Sequence, residues 1–212
     1  MKTKKGDFIE LDYTAKEKDT NRIFDTTKAD DAKKCGMFNP KYHYTPAKIC
    51  IGDLNVIAGL DEGLENKELK NEFNVEILPE KAFGKRDAKL LQLVNTSKFT
   101  KQNMRPSPGL QLNIDGAIAT IKSVSGGRTL IDFNHPFAGK TVVYTVIINR
   151  VITSIEEQLQ TIVDFHLHPA VKTEINGEKA VVHYDCPAEL RNQVTIKITS
   201  KIPSIKSVLF QH

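Results

Sequence analysis

The alternation of apolar and polar side chains is cleanest near the start of the chain. In FIELDYTAK, Ile9, Leu11 and Tyr13 face one way and Phe8, Glu10 and Asp12 the other, the period of two of a half-buried strand. A polar turn, EKDTN, leads into a second short strand, RIFDTT. Residues 28–50 mix polar and aromatic side chains without a period and predict a long ordered loop or bulge interrupting a strand. In LNVIAGLDEGLENKEL the apolar positions Val56, Ile57, Leu60 and Leu64 share one face of a short helix, with Gly63 expected to fray its end. NEFNVEILPEKAFG predicts a strand presenting Phe73, Val75 and Ile77, stopped by Pro79, which has no N–H to give to a ladder.

The pattern changes between 86 and 133. LQLNIDGAIATIKSVSGGRTLIDF gives three short strand signals broken at Asp115-Gly116 and Gly126-Gly127, both favoured hairpin turns, so this segment reads as a small antiparallel unit. The run TVVYTVIINRVI, nearly continuous in β-branched and aromatic residues, then predicts a central, buried strand. TSIEEQLQTIVDF opens with Ser154 and Glu157 at capping-box spacing and carries Ile155, Leu159, Ile162 and Val163 at helical spacing. Beyond it, VKTEINGEKAVVHY predicts a hairpin around Asn176-Gly177, PAELRNQ a short helix, and VTIKITS and IKSVLF two strands. There is no internal repeat or low-complexity tract.

Composition narrows the classes of function. The 212 residues, 40% hydrophobic and 26% charged, suffice for a packed globular core. A net charge of +4 argues against a strongly basic nucleic-acid binder. That excess is local: residues 86–133 hold seven Lys and Arg against three Asp and Glu, and the remaining charges cancel. No apolar run approaches the ~20 residues of a membrane span. The start, MKTKKGDFIELDY, has no hydrophobic segment behind its lysines, so no secretory signal is expected. Cys35, Cys50 and Cys186 show neither CxxC spacing nor a paired framework, which suits a reducing, cytoplasmic setting. Of the histidines, His43, His166, His168, His183 and His212 are too scattered to predict a metal site, and no cofactor is expected.

Four stretches then occur in a telling order: LDYTA…RIFDTT, IGDLNVIAGLDEGL, KAFG and NHPFAGKTVVYTV. Over residues 5–152 they together resemble the FKBP-type peptidyl-prolyl cis-trans isomerases, in particular the SlyD-like branch with a small insert-in-flap domain. NHPFAGK is similar to the signature where the chain returns from that insert, and residues 28–50 with the unit after 153 resemble the longer archaeal type. The resemblance implies an α+β fold, an FKBP-like antiparallel half-barrel sheet wrapping a short helix over 1–85 and 134–152. A small β-rich insert domain over 86–133 and a C-terminal α+β domain over 153–212 would complete it. It places the pocket on Tyr13, Phe24, Asp25, Val56, Ile57, Leu60, Phe83 and Tyr144. Two positions depart from the family. Leu60 is smaller than the indole often found at the pocket floor, and Phe83 lacks the hydroxyl of the usual tyrosine. Weaker binding of macrolide-type inhibitors with retained catalysis is the expectation.

The chemistry asked of these residues is narrow. Rotation about a peptide bond faces a barrier of ~18–20 kcal/mol because resonance stiffens C–N, and X–Pro bonds interconvert slowly enough to limit folding. Twisting removes the resonance and lowers the charge separation, so an apolar pocket binds the twisted amide better than the planar one. No nucleophile or acid–base pair is required. Asp25 would order the pocket rim by accepting from Tyr13 or another donor, and its charge would act on the twisting carbonyl. Taken singly, Phe24, Val56, Ile57 and Tyr144 read as core and Asp25 as a turn cap; the ordered set carries the functional reading. His135, grouped with the substrate-contacting residues, reads first as the side chain that orders the returning loop.

The resemblance further implies that the insert holds unfolded or extended chains. Leu91, Leu93, Phe99, Met104 and Leu110 exceed what so small a unit buries, which predicts an apolar groove or a strand edge open to extended peptide. Ile118 and Ile121 read as core. For the C-terminal unit two uses compete: a homodimer through its helix or the edge strand SVLF, and a further hold on clients. The first function expected is an isomerase and ATP-independent chaperone for unfolded or proline-containing polypeptide clients, with no nucleic-acid or membrane partner. The alternative is a holdase with little turnover, motivated by Phe83 and the extra domain.

Overall fold

The computed structural model describes residues 2–114 and 116–211; Asp115 and His212, named above, lie outside the described residues. Contacts divide the chain into two compact units: everything up to Ile77 together with everything from Val142 on, and the intervening Leu78–Thr141.

The first unit begins with β1 (Phe8–Glu17), β2 (Ile23–Thr26), α1 (Ala29–Lys34), β3 (Ala47–Cys50), α2 (Ala58–Gly63) and β4 (Glu72–Ile77). The second holds β5 (Leu91–Asn95), the single turn α3 (Ser97–Thr100), β6 (Gln111–Ile114), β7 (Ala117–Ser125) and β8 (Arg128–Asp132). The chain then returns as β9 (Val142–Val151) and finishes with α4 (Ile155–His166), β10 (Lys172–Asn176), β11 (Lys179–His183), α5 (Ala188–Lys201) and β12 (Ser207–Gln211).

In the first unit β2, β1, β9 and β4 lie side by side, all antiparallel, and β3 joins as the fifth strand. The length of β1 allows this. Its Thr14–Lys16 stretch pairs with β2 while Phe8–Leu11 pairs with β3. Leu11 and Ala15 of β1 and Val142, Tyr144, Val146 and Ile148 of β9 alternate inward, and Leu60 and Leu64 of α2 are equally buried. A strand bounded by two partners is buried on every second position, which the unbroken β-branched run of β9 satisfies. The result is the expected α+β, FKBP-like arrangement. Gly63 does more than end α2: a Cβ there would stand 2.6 Å from Val75 Cγ1, so glycine is what lets the helix approach β4.

The C-terminal elements pack on the outer face of this sheet. Phe8, Cys50 and Ile152 share one buried cluster with Leu159, Ile162 and Val163 of α4, Ala180 and Val182 of β11, and Val194 and Ile198 of α5. Phe8, read above as outward, is therefore the residue this second layer covers. Ion pairs fasten the join. Arg150 reaches Glu10 at 2.7 Å and Glu157 at 2.5 Å, Lys48 meets Glu157 at 2.7 Å, and Lys197 and Lys201 lie 2.6 and 3.1 Å from Asp53. The three-stranded sheet runs β10-β11-β12, its last pair parallel.

Three local expectations change. Residues 28–50 contain α1 and β3, so the segment is not a bare loop. VTIKITS, predicted as a strand from its β-branched residues, is the second half of α5. Val194 and Ile198 stand four apart and both face the core, so packing of a helical stripe overrides β propensity. The capping box is half formed: Ser154 Oγ accepts from Glu157 N–H at 3.2 Å, while the Glu157 carboxylate turns to Arg150 and Lys48.

In the second unit the strands run β5-β8-β7-β6 as an antiparallel sheet. Phe99, Ala119 and Ile131 form its small core, with Val94, Met104, Leu112, Ile114 and Phe133 packed around it. Phe99, expected in an exposed groove, is buried, because the one turn of α3 folds its ring over the sheet; Met104 lies beside it. Ile121 is buried as expected, but Ile118 is 65% exposed, since it alternates away from Ala119 on β7.

Candidate functional site

β1, β2 and β9 bring three aromatic rings and a carboxylate together. The Tyr13 hydroxyl donates to Asp25 Oδ2 at 2.8 Å. The Tyr144 ring lies 5.5 Å from that of Tyr13, and Phe24 meets Tyr144 edge-on at 6.2 Å. Strand register makes the meeting inevitable, for Ala15 pairs with Asp25 on one side and with Tyr144 on the other. Hydroxyls lock β2 in place: the Tyr13 N–H donates to Thr27 Oγ1 at 3.0 Å, which donates to Asp12 Oδ1 at 2.7 Å, and Thr26 Oγ1 donates to the Tyr13 carbonyl at 3.0 Å. Burial raises the phenol pKa of both tyrosines well above the ordinary value, and the Asp25 charge adds to it. Tyr13 therefore stays a hydrogen-bond donor at every physiological pH.

The loop into α2 presents Val56 and Ile57, half-buried, and the helix buries Leu60 completely. Its shape is held by two side chains. The buried Asp61 carboxylate accepts the Gly52 N–H at 2.8 Å and the Leu54 N–H at 3.2 Å, while Asn55 Oδ1 accepts from Cys50 N–H at 2.9 Å. Neither was singled out from sequence, though an acidic residue in the first turn of a helix is a recognisable loop anchor.

Two hollows flank this cluster. One, of about 290 Å³, is lined by Phe24, Asp25, Ala32, Met37, Tyr42 and Tyr44 among others, so the segment after β2 lies alongside Phe24 and Asp25. In that segment the rings of Phe38 and Tyr44 stack at 5.4 Å. The other, of about 600 Å³, includes Tyr13 and Val56 and is also lined by Thr161, Asp164 and Phe165 of α4.

In the second unit, Phe83 stacks on His135 at 4.5 Å with rings nearly parallel, and Phe137 lies 5.5 Å away. His135 Nδ1 accepts the Phe137 N–H at 3.2 Å, and its carbonyl accepts the Ala138 N–H at 2.9 Å. Burial lowers its pKa, so the neutral ring that can accept this bond is favoured. Asn134 clasps the two strands leaving and entering the insert: its Oδ1 accepts from Asp87 N–H at 2.8 Å and its Nδ2 donates to the Asp87 carbonyl at 3.0 Å. Asp132 bonds to Arg86 and Asn134. Burial opposes its charge, but those bonds and the nearby Lys122 outweigh it and leave the pKa lowered. Gly139, at φ +76°, closes the turn by donating its N–H to the Gly84 carbonyl at 2.8 Å.

On the sheet face turned from the insert's core, Leu91 and Leu93 of β5 and Leu130 of β8 are apolar, and Leu93 is 56% exposed. A hollow of about 470 Å³ there is lined by Leu91, Leu130, Ala88, Arg86, Asp87 and Lys122. Leu110 is half-buried before β6. No group of three or more His, Cys, Asp or Glu is arranged to hold a metal ion among the described residues. No helix among them is long and apolar enough to cross a membrane.

The sequence is similar to those of known proteins. The profile of the FKBP-type peptidyl-prolyl cis-trans isomerases matches residues 1–100, and that of the FKBP26 IF domain matches residues 92–137. The chain is 32% identical over 143 residues to the short-type peptidyl-prolyl cis-trans isomerase of Methanocaldococcus jannaschii, a match spanning 68% of this chain and 90% of that protein. It is 35% identical over 106 residues to the probable FKBP-type 16 kDa isomerase of Pseudomonas fluorescens, spanning 48% and 69%. The chain belongs to the FKBP-type peptidyl-prolyl cis-trans isomerases and is an enzyme of that class. The chain is also 28% identical over 129 residues to the FKBP-type peptidyl-prolyl cis-trans isomerase SlyD of Haemophilus influenzae, spanning 59% of this chain and 66% of that protein.

Proposed function

We propose that the enzyme twists X–Pro bonds between Tyr13, Phe24, Asp25, Val56, Ile57, Leu60 and Tyr144, and acts on unfolded clients first caught by the insert. The observation that carries the catalytic half is the Tyr13–Asp25 hydrogen bond set among the Phe24 and Tyr144 rings. An apolar lining favours the less polar, twisted amide. A fixed carboxylate beside it acts on the carbonyl in a setting where its partner cannot ionise. The client-holding half is supported by the uncovered leucines of β5 and by Ile118. His135 serves as an organiser of the Phe83 ring and of the return turn.

The test couples two assays: cis–trans exchange of a short X–Pro peptide, and refolding of a proline-limited unfolded protein. Asp25→Ala and Phe24→Ala are expected to lower both rates tenfold or more, about 1.4 kcal/mol of transition-state binding. A Leu91→Ser/Leu93→Ser variant is expected to spare the short peptide and slow only the protein substrate. Wild-type protein that suppresses aggregation without accelerating either reaction would instead be a holdase.

A further inference from the structure

We propose that the C-terminal extension builds a second stretch of the client groove, formed by α4 and the free edge of β3, that takes residues flanking the proline. This rests on the placement of the proline among Tyr13, Asp25 and Val56 proposed above. The 600 Å³ hollow has Tyr13, Ala47, Ile49 and Val56 on one side and Thr161, Asp164 and Phe165 of α4 on the other. Tyr13 and Val56 thus belong both to the proline cluster and to this hollow, and a chain leaving the first enters the second.

Three features suit an extended polypeptide. First, Phe165 is 52% exposed at the hollow while Leu159, Ile162 and Val163 of the same helix are buried, so α4 presents one ring its own core does not use. Second, among the described residues β3 pairs with β1 alone. The Cys50 N–H points away from β1, to Asn55, so by alternation the backbone N–H and carbonyl of Lys48 point the same way, along the hollow. Such an edge offers main-chain hydrogen bonds to a strand laid beside it. Third, Glu10 and Lys48 are engaged by Arg150 and Glu157, whereas the Asp164 carboxylate accepts from the neutral Gln160 amide. Residual charge at the α4 wall is negative. The occupant is therefore a client segment with an apolar side chain for Phe165 and a lysine or arginine near Asp164.

The experiment measures kcat/KM for a tetrapeptide X–Pro substrate and for twelve-residue peptides with the same X–Pro flanked by Phe and either Lys or Glu. Wild type is expected to prefer the long Lys peptide. Phe165→Ala should lower the long-to-short ratio at least threefold through KM, and Asp164→Asn should erase the preference for Lys over Glu. Ile196→Ala, an exposed apolar side chain of α5 outside the hollow, serves as control. A benzoylphenylalanine placed in the flank of the long peptide should cross-link wild-type protein within the tryptic fragment Val151–Lys172, a readout independent of how any variant folds. An unchanged ratio in folded Phe165→Ala, or cross-links confined elsewhere, would overturn the proposal. Failure of the proline-site reading would look different: Asp25→Ala would leave the tetrapeptide rate intact.

Discussion

Phe8→Ala tests whether the five-stranded sheet and the C-terminal layer stand or fall together. Phe8 is 2% exposed and sits in the cluster that joins β1 to α4, β11 and α5. Replacing a buried phenylalanine by alanine costs about 3–5 kcal/mol, the larger values arising where the surroundings cannot collapse. Here one wall is a hydrogen-bonded sheet and the other two helices tied to it by ion pairs, so a cost near the top of that range is expected. With a urea dependence of about 2–3 kcal/mol per molar, the unfolding midpoint should fall by about 1.5–2.5 M. Hydrogen exchange read by mass spectrometry supplies the sharper test. Peptides from α4 and from β9 should lose protection together and to the same extent. If β1 and β9 open while α4 keeps its wild-type protection, the shared core is a contact between two independent bodies and the reasoning fails.

Other consequences can be checked with less effort. Arg150 and Lys48 hold the Glu157 carboxyl down at about 2. A depressed carboxyl contributes its stability above the ordinary value of 4.5 and loses it as pH falls toward 2, so the thermal midpoint should drop across that window. Glu157→Gln should remove that component, worth about 1 kcal/mol for a partly exposed pair. Gly63→Ala should cost about 1–3 kcal/mol by driving α2 off Val75, against the gain alanine brings to an unobstructed helix; a rise in midpoint would show that β4 yields freely. Burial pushes the Cys50 thiol up to about 11 and Cys186 is also buried, so a thiol reagent at pH 8 should titrate Cys35 alone in the native protein.

What could be read from the chain follows the range of the interaction. β1, β4 and β9, the insert's hairpins and the Asn176-Gly177 turn all announce themselves through period or turn chemistry, which are local. The order of the motifs points to Tyr13 and Asp25 together, but the geometry of the pair depends on β1–β2 register. The second half of α5 reads as a strand while PAELRNQ before it reads as helix, because Val194, Thr195, Ile196, Ile198 and Thr199 favour strands by themselves; only the layer beneath Val194 and Ile198 makes a helix the better answer. The hollow under α4 was invisible for the same reason. Phe165 looks like one more apolar residue at the end of a helix until Tyr13, more than a hundred positions earlier, is found facing the same space.

The pairing of β1 with β9 also sets an order of birth. Glu17 pairs with Val142 and Ile9 with Val151, partners 125 and 142 positions apart. A ribosome adding about 5–20 residues each second leaves β1 without its principal neighbour for roughly 6–28 s. Over that span the hairpins of the intervening unit emerge and can close among themselves, since their contacts are short-range. α4 follows β9 by only three residues, so the strand that completes the five-stranded sheet and the helix that covers Phe8 leave the ribosome almost together. The contacts of the intervening unit can therefore form before the sheet that carries Tyr13, Asp25 and Tyr144 is complete, so the order of synthesis separates the two in time.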